Sequence, residues 1–416
     1  MAFSNIYIPP FRLEFLMAEN LQNFFEKFLK KESLFSNKKV LQSSYFPNEI
    51  QHRDNQISKI AQILAPALRI ERPSNIFMYG KTGTGKTLSA QHTLEQIKSI
   101  AKKRDINVKT IYINCKLKKI ADTEYRLVAE LARFFGKAIP STGLPTDEVY
   151  NAFYGELDKH NQVVILVLDE IDQLVKRAGD QIIYNLTRIN SDLVKAHLCL
   201  IGISNELTFA DNLDPRVKSS LSEEELVFPP YNALQIQDIL SKRAKIAFKE
   251  GVLDEGVIQK CSAYAAREHG DARRALELLR VSGEIAERKD SEKITISDLD
   301  EAESKIERDR FVDVVVTQPK QFQAVLYSIV LLNRNQGLFT GEVYELYKKI
   351  CDKSGLRPLT QRRVGDILAE QDMLGIINAR VISKGRYGRT KEMRLALPPT
   401  LEAKVKNILE DALGLK

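Results

Sequence analysis

The octapeptide Gly80-Lys-Thr-Gly-Thr-Gly85-Lys86-Thr87 follows directly on the apolar run Ile76-Phe77-Met78-Tyr79, and that junction leaves the chain few folds to choose from. Every position of the phosphate-binding loop pattern is filled, and the pattern works only where a buried strand turns through glycines into a helix. The glycines of Gly80, Lys81, Thr82, Gly83, Thr84 and Gly85 let backbone N–H groups converge on phosphate oxygens. Lys86 reaches the β/γ oxygens, and Thr87 opens a helix running through Leu88 to Ser99 while offering its hydroxyl to Mg2+. The expectation is a nucleoside triphosphate held at the end of a strand.

Such a loop needs a carboxylate for its metal, and the run Val163-Val-Ile-Leu-Val-Leu168 ends in Asp169-Glu170. An unbroken apolar run reads as a strand buried on both faces of a parallel sheet. Asp169 is expected to hold Mg2+ through water and Glu170 to polarise an attacking water, which makes the site hydrolytic.

A chain of 416 residues has room for two or three domains. Its 44% hydrophobic and 28% charged content is ordinary for globular protein, and no apolar stretch is long enough to cross a membrane. The first residues break their apolar character with prolines and charges, unlike a secretion signal, so a cytoplasmic, nucleoid-associated location is expected. Cys115, Cys199, Cys261 and Cys351 lie far apart and read as reduced core residues, and neither they nor the five histidines show metal-ligand spacing.

The segment 1–45 contains an amphipathic helix pattern at Glu19–Lys30. Strands are expected at Ile76–Tyr79, Lys109–Cys115, Val163–Leu168, Leu198–Ser204 and Leu226–Phe228, alternating with helices, which is a doubly wound α/β domain. After Pro229-Pro230 the stretch Ala233–Glu287 is helical throughout, and the charged run Glu301–Arg310 reads as a solvated linker or exposed helix end. Helical patterns at Gln321–Asn333, Thr340–Ser354 and Thr360–Gln371 then precede a hairpin of Gly375–Arg380 with Glu392–Leu397, the layout of a winged helix-turn-helix.

Three further positions gain meaning from their place in this order. Asn205 ends the strand after Asp169-Glu170 and can reach toward the γ-phosphate, and Arg216, in Asp214-Pro-Arg-Val-Lys-Ser-Ser-Leu221, opens a helix. Arg273, in Gly270-Asp-Ala-Arg-Arg-Ala-Leu276, sits in a first helical turn, where a cation opposes the helix dipole unless an anion is near.

Taken with Tyr45-Phe-Pro47-Asn-Glu-Ile-Gln-His52-Arg53-Asp-Asn-Gln56 ahead of the loop, these motifs resemble, in order and spacing over about residues 34–397, the Orc1/Cdc6 replication initiators of archaeal type within the AAA+ ATPases. The resemblance implies a RecA-like parallel-sheet α/β domain at 46–229, a small helical lid at 230–305 and a winged-helix DNA-binding domain at 311–416. It makes Lys86 and Thr87 the Walker A pair, Asp169 and Glu170 the Walker B pair, Asn205 sensor 1, Arg216 a finger acting on a neighbour's nucleotide, and Arg273 sensor 2. Pro47, His52 and Arg53 match the segment lining the adenine pocket, to which Tyr231 is added. Two helical stretches within about 122–159 match an initiator-specific insertion, with Lys137 and Thr142 as its minor-groove contacts. ATP or ADP with Mg2+, double-stranded origin DNA, an MCM-type replicative helicase and other initiator paralogues are the implied ligands and partners. A DNA-binding regulator that keeps ATP as a structural ligand, or a branch-migration type of motor, are the competing readings.

Net charge is only +7, yet Arg380, Lys384, Arg386, Arg389, Lys391 and Arg394 crowd the hairpin against Glu392 alone. That concentration is costly unless phosphates neutralise it. A tip of Lys384-Gly385-Arg386-Tyr387-Gly388-Arg389 suits a narrow minor groove, while Gln361, Arg362 and Arg363 at the start of the preceding helix suit the major groove or its phosphates.

Overall fold

The apolar run before the glycine loop forms β1 (Ile76–Tyr79), and Gly80 ends it where Phe228 O would stand 2.4 Å from any added Cβ. The computed structural model describes residues 26, 32–116, 122–140, 143–332, 337–383, 389–396 and 399–415, and the chain divides into two compact units, one ending at Leu299 and one beginning at Asp300. In the first unit β1 joins β2 (Val108–Asn114), β3 (Gln162–Asp169), β4 (Ala196–Ser204) and β5 (Glu224–Val227) in a parallel sheet of order β2-β3-β4-β1-β5. Every residue of β3 is buried, as its unbroken apolar run requires.

Helices cover both faces. On one, α1 (Asp54–Leu64) and α2 (Lys86–Arg104) bury Ile60, Leu64, Leu94 and Ile97 against Ile165, Val167 and Ile201. On the other lie α3 (Glu124–Phe134), α4 (Thr146–Leu157), α5 (Ile171–Ala178), α6 (Gln181–Arg188) and α7 (Pro215–Leu221). The two insertion helices are fixed to the sheet: Leu127, Leu131, Phe153 and Leu157 are fully buried, and each such side chain contributes about 1.5–3 kcal/mol.

Three helices follow: α8 (Ala233–Ala247), α9 (Val257–Arg267) and α10 (Ala272–Arg288). The described part of the N-terminal segment packs on them. Ser36 N donates to Ala247 O at 2.8 Å, the Phe35 and Phe248 rings stack at 4.8 Å, and Gly283 makes room for Phe35, whose Cζ would stand 2.5 Å from a Cβ there. The helix expected at Glu19–Lys30 lies outside the described residues save Glu26. All four cysteines are buried thiols.

The charged run Glu301–Arg310 is neither linker nor helix end; it falls inside α11 (Ile296–Thr317). The second unit then packs α12 (Lys320–Leu332), α13 (Thr340–Lys353) and α14 (Gln361–Met373) around Phe322, Leu326, Val343, Tyr347, Val364 and Leu368. A short β6 (Leu338–Phe339) and the hairpin β7 (Ile377–Ser383) and β8 (Arg389–Leu395) form an antiparallel sheet of order β6-β8-β7. The helix α15 (Pro399–Leu413), which the sequence reading does not include, closes this core with Leu401, Val405 and Leu409. Among the described residues no helix is long and apolar enough to cross a membrane.

Candidate nucleotide-binding site

Parallel pairing brings the chemistry to one edge of the sheet. Tyr79 is level with Ser204 and Asp169 with Ile203, so Gly80, Glu170 and Asn205 all lie just past the carboxyl ends of β1, β3 and β4. This is where the strand order reverses around β1, the crevice in which open α/β sheets bind ligands.

Gly83 and Gly85 take left-handed backbone, φ 68° and 90°, and α2 starts immediately after. Lys86 is buried, its Nζ donating to Gly80 O and Lys81 O at 2.7 Å each. Burial pulls its ammonium down to about 8, and the nearby Asp169 carboxylate offsets only part of that. A cation so poorly served by two carbonyls is matched to an anion entering the loop. The Thr87 hydroxyl donates to Asp169 Oδ2 at 2.8 Å, and Tyr112 OH donates to the same oxygen at 2.7 Å. Glu170 N donates to Asp169 Oδ1 at 2.9 Å, and Glu170 itself takes left-handed backbone at φ 54°. Hydroxyl and carboxylate oxygens side by side are the donor set of a hard divalent cation such as Mg2+. Asn205 is half-buried, and the strand end before it is tied to the start of α5 by Ser204 Oγ donating to Asp172 Oδ1 at 3.1 Å.

The lid helices reach the loop directly. Ala272 N donates to Gly83 O at 3.3 Å, and Asp271, which caps α10 by accepting from Arg273 N at 2.8 Å, sits where any Cβ on Gly83 would stand, 1.8 Å from its Oδ1. Lys81 Nζ lies 3.2 Å from His269 Nδ1, while Thr84 Oγ1 donates back to Lys81 O. Arg273 is exposed and lines, with Pro47, Gly83, Gly85, Thr87, Leu88 and Tyr231, a cavity of about 350 Å³. Thr82 is exposed.

Two residues of the upstream motif do something other than the resemblance implied. Arg53 does not line this cavity. It is 2% exposed, and its guanidinium donates to Thr84 O at 2.8 Å, His52 O at 3.0 Å and Pro229 O at 2.5 Å while stacking 3.8 Å from the Tyr231 ring. Three of its five N–H donors go to backbone carbonyls, and through them it braces the loop. His52 also faces away, its Nε2 3.1 Å from Asp238 Oδ2 on α8. The cavity wall from this segment runs from Gln42 to Pro47 and continues through Glu49, Ile50 and Gln51, with Arg243 over the Tyr45 ring at 4.5 Å.

Arg216 stands in the first turn of α7 with 70% of its side chain exposed, paired bidentately with its own cap Asp214 at 3.1 Å. In the second unit Gln361, Arg362 and Arg363 are exposed at the start of α14, which Thr360 caps by accepting from Arg363 N at 3.4 Å. Lys137 is exposed just past α3. Thr142, Lys384, Gly385, Arg386 and Tyr387 lie outside the described residues, as does the side chain of Arg389. Glu392 is not free to offset the wing as a whole: its Oε2 accepts from Arg380 Nε at 2.7 Å. Tyr112 is a site residue that the sequence reading misses, although it shares a strand face with Asn114, directly before the turn.

Family models match three stretches: an AAA domain over residues 69–208, a Cdc6 AAA+ ATPase-type lid domain over 237–304, and a CDC6 C-terminal winged helix domain over 313–404. An ORC1-type DNA replication protein of Thermococcus onnurineus is 54% identical over 394 residues, 93% of this chain and 94% of that protein. ORC1-type DNA replication protein 1 of Methanosarcina mazei is 52% identical over 401 residues, 95% of each chain. Among solved structures, the Aeropyrum pernix ORC1 protein in complex with DNA is 46% identical with a TM-score of 0.81, covering 92% of this chain and 98% of that one.

Proposed function

This chain belongs to the Orc1/Cdc6 family of ORC1-type DNA replication proteins, and we propose that it binds origin duplex DNA and uses ATP hydrolysis as a switch that governs recruitment of a replicative helicase. Its AAA+ domain is an ATPase domain. The observation that carries the reading is a complete set of hydrolytic groups, Lys86, Thr87, Asp169, Glu170 and Asn205, at one sheet edge in a chain that ends in a winged helix.

Lys86 binds β/γ oxygens, and the amides of the loop hold the rest of the triphosphate. Thr87 and Asp169 are the residues to hold Mg2+, which supplies Lewis-acid charge neutralisation when bound. Glu170 orients water and takes its proton, Asn205 fixes the water from the strand beside β1, and Arg273 brings the lid's positive charge to the phosphates. Arg216, exposed, paired with Asp214 and lying 5.5 Å from the centroid of the Tyr184 ring, is suited to the nucleotide of a neighbouring subunit or paralogue. Hydrolysis then changes which groups hold the lid, a change of state rather than of position along DNA.

In the winged helix, Gln361, Arg362 and Arg363 are suited to base edges and phosphates of the major groove, and the wing's arginines to the minor groove. The relative solved in complex with DNA supports DNA binding by its likeness over nearly the whole chain. The test is footprinting of the full chain on duplexes from its own genome with ATP, with ADP and without nucleotide. Discrete protected sites whose occupancy changes between ATP and ADP are expected; uniform protection indifferent to nucleotide would overturn the initiator reading and favour a regulator that keeps ATP as a structural ligand.

A further inference from the structure

Among the described residues β2 pairs only with β3 and forms one edge of the sheet. In a parallel ladder a residue's N–H and C=O point to the same side, and that side alternates along the strand. Val163 N donates to Asn107 O and Cys115 N donates to Asp169 O, so the odd-numbered residues face β3. The main-chain groups of Thr110 and Tyr112 therefore face the open edge. An edge of this kind is a template for another strand unless something blunts it.

Here the edge is the floor of a groove of about 400 Å³. The end of α2, with Lys98, Ala101 and Lys102, walls it on one face of the sheet, and Phe134 and Phe135 at the end of α3 wall it on the other. Its lining carries the ammonium groups of Lys98, Lys102 and Lys109 and no carboxylate. Lys98 is paired with Glu95 at 2.8 Å, while Lys109 lies over apolar surface, 4.9 Å from the centroid of the Phe135 ring. Phe134 is 55% exposed, which leaves apolar surface beside the open strand.

We propose that this groove takes an extended segment of a partner protein in which acidic and apolar side chains alternate, added to β2 as a further strand. The main chain of such a segment pairs with Thr110 and Tyr112, its apolar side chains cover Phe134, and its carboxylates meet Lys102 and Lys109. Nucleic acid satisfies the lysines but offers the edge no ladder of N–H and C=O groups. A second copy of this chain brings Lys109 toward Lys109 and is opposed by charge.

The test uses the full chain and a fluorescein-labelled peptide of about eight residues alternating Val and Glu, a length typical of a strand, read by fluorescence anisotropy. A Val/Lys peptide and a Val/Glu peptide with prolines at its centre are the controls, and unlabelled duplex DNA is the competitor. Saturable binding of the Val/Glu peptide, at least about tenfold tighter than either control, is expected. Lys102→Glu with Lys109→Glu should weaken it by about tenfold or more while phosphate release stays within about twofold. Amide exchange at Thr110 and Tyr112 should slow only when that peptide is present. Should the double charge reversal fail to melt cooperatively, Lys102→Gln with Lys109→Gln replaces it, with a smaller loss in the same direction. No saturable binding, equal binding of the proline peptide, or displacement by duplex DNA overturns the proposal. Neither Lys102 nor Lys109 lines the nucleotide cavity, so the groove and the nucleotide site stand or fall separately.

Discussion

Asp169 accepts from three elements at once: the Thr87 hydroxyl and the Tyr112 phenol on Oδ2, at 2.8 and 2.7 Å, and the Glu170 amide on Oδ1 at 2.9 Å. Thr87 and Asp169 would hold a divalent cation, and with the Thr87 oxygen so used Tyr112 would be the side chain left to orient the carboxylate. Burial and the Asp169 charge both raise the phenol, so it stays a donor across the physiological range. Tyr112→Phe deletes one hydrogen bond to a charged acceptor, worth about 1.5 kcal/mol, and hydrolysis should fall roughly tenfold. Half-saturation by Mg2+, read with a fluorescent nucleotide, should rise while metal-free nucleotide affinity holds; an unchanged Mg2+ dependence would reduce Tyr112 to a space-filler. Lys86 and Glu170 should separate differently. Lys86→Ala removes the phosphate-binding cation and should abolish ATP binding, whereas Glu170→Gln should keep ATP and lose phosphate release. Equal loss of binding in both would strip Glu170 of its role. The loop and the paired acids were legible because their chemistry is local in sequence. Tyr112 was not, because only the β2–β3 register brings its hydroxyl to Asp169.

The start of α11 shows how an element can be held by one carboxylate. Asp298 Oδ2 accepts from Thr295 N at 3.0 Å and Thr295 Oγ1 at 2.8 Å, Asp298 N returns a bond to Thr295 Oγ1, and Lys289 Nζ lies 2.8 Å from Oδ1. Burial pushes this carboxyl up, but the Lys289 ammonium and the two Thr295 donors outweigh it and hold it below the ordinary carboxylate range. A depressed carboxylate contributes stability that is complete above the unfolded-state value, about 3.9, and is lost as pH falls through the folded-state value. Asp298→Asn keeps an acceptor for the cap and loses the charge, so it should cost about 1 kcal/mol at neutral pH. Thermal melts of both proteins should converge as pH drops below about 4, and a gap that persists there would assign the effect to the cap alone. Element by element, legibility followed length and burial. β1 was read to the residue because Gly80 stops it and three of its four side chains are buried. β6 is two residues long, too short to have a period, and α15 went unread although Pro399 opens it and Leu401, Val405 and Leu409 repeat at helical spacing. The hairpin runs further toward its tip than expected, to a Ser383–Arg389 pair: β8 has no apolar residue before Met393 to mark it, although on β7 Val381 continues the alternation of Ile377 and Ala379.

At the scale of the whole chain, a net charge of +7 over 416 residues is too small to announce a polyanion, and the sign of binding has to come from where the cations stand. Those of the wing lie in a hairpin whose base is already neutralised, since Glu392 is taken by Arg380, which leaves the cations nearer the tip without an acid in sequence to offset them. Arg362, by contrast, is exposed in the first turn of α14, on the side away from the core residues Val364, Ile367 and Leu368, where a winged helix meets base edges. Arg386→Ala with Arg389→Ala should therefore weaken binding to every duplex and flatten the slope of log affinity against log salt by about 0.9 for each phosphate no longer neutralised. Arg362→Ala should cost roughly 1–3 kcal/mol on a preferred site and little on random DNA, with a smaller change in salt slope. Titrating both variants against a protected site and a scrambled duplex at several salt concentrations distinguishes the two effects, because pairing with a phosphate moves both curves together and pairing with a base edge moves them apart. If the wing variant binds with unchanged affinity and slope, the winged helix is not the DNA anchor, and the exposed Lys137 beside α3 becomes the residue through which duplex binding has to be sought.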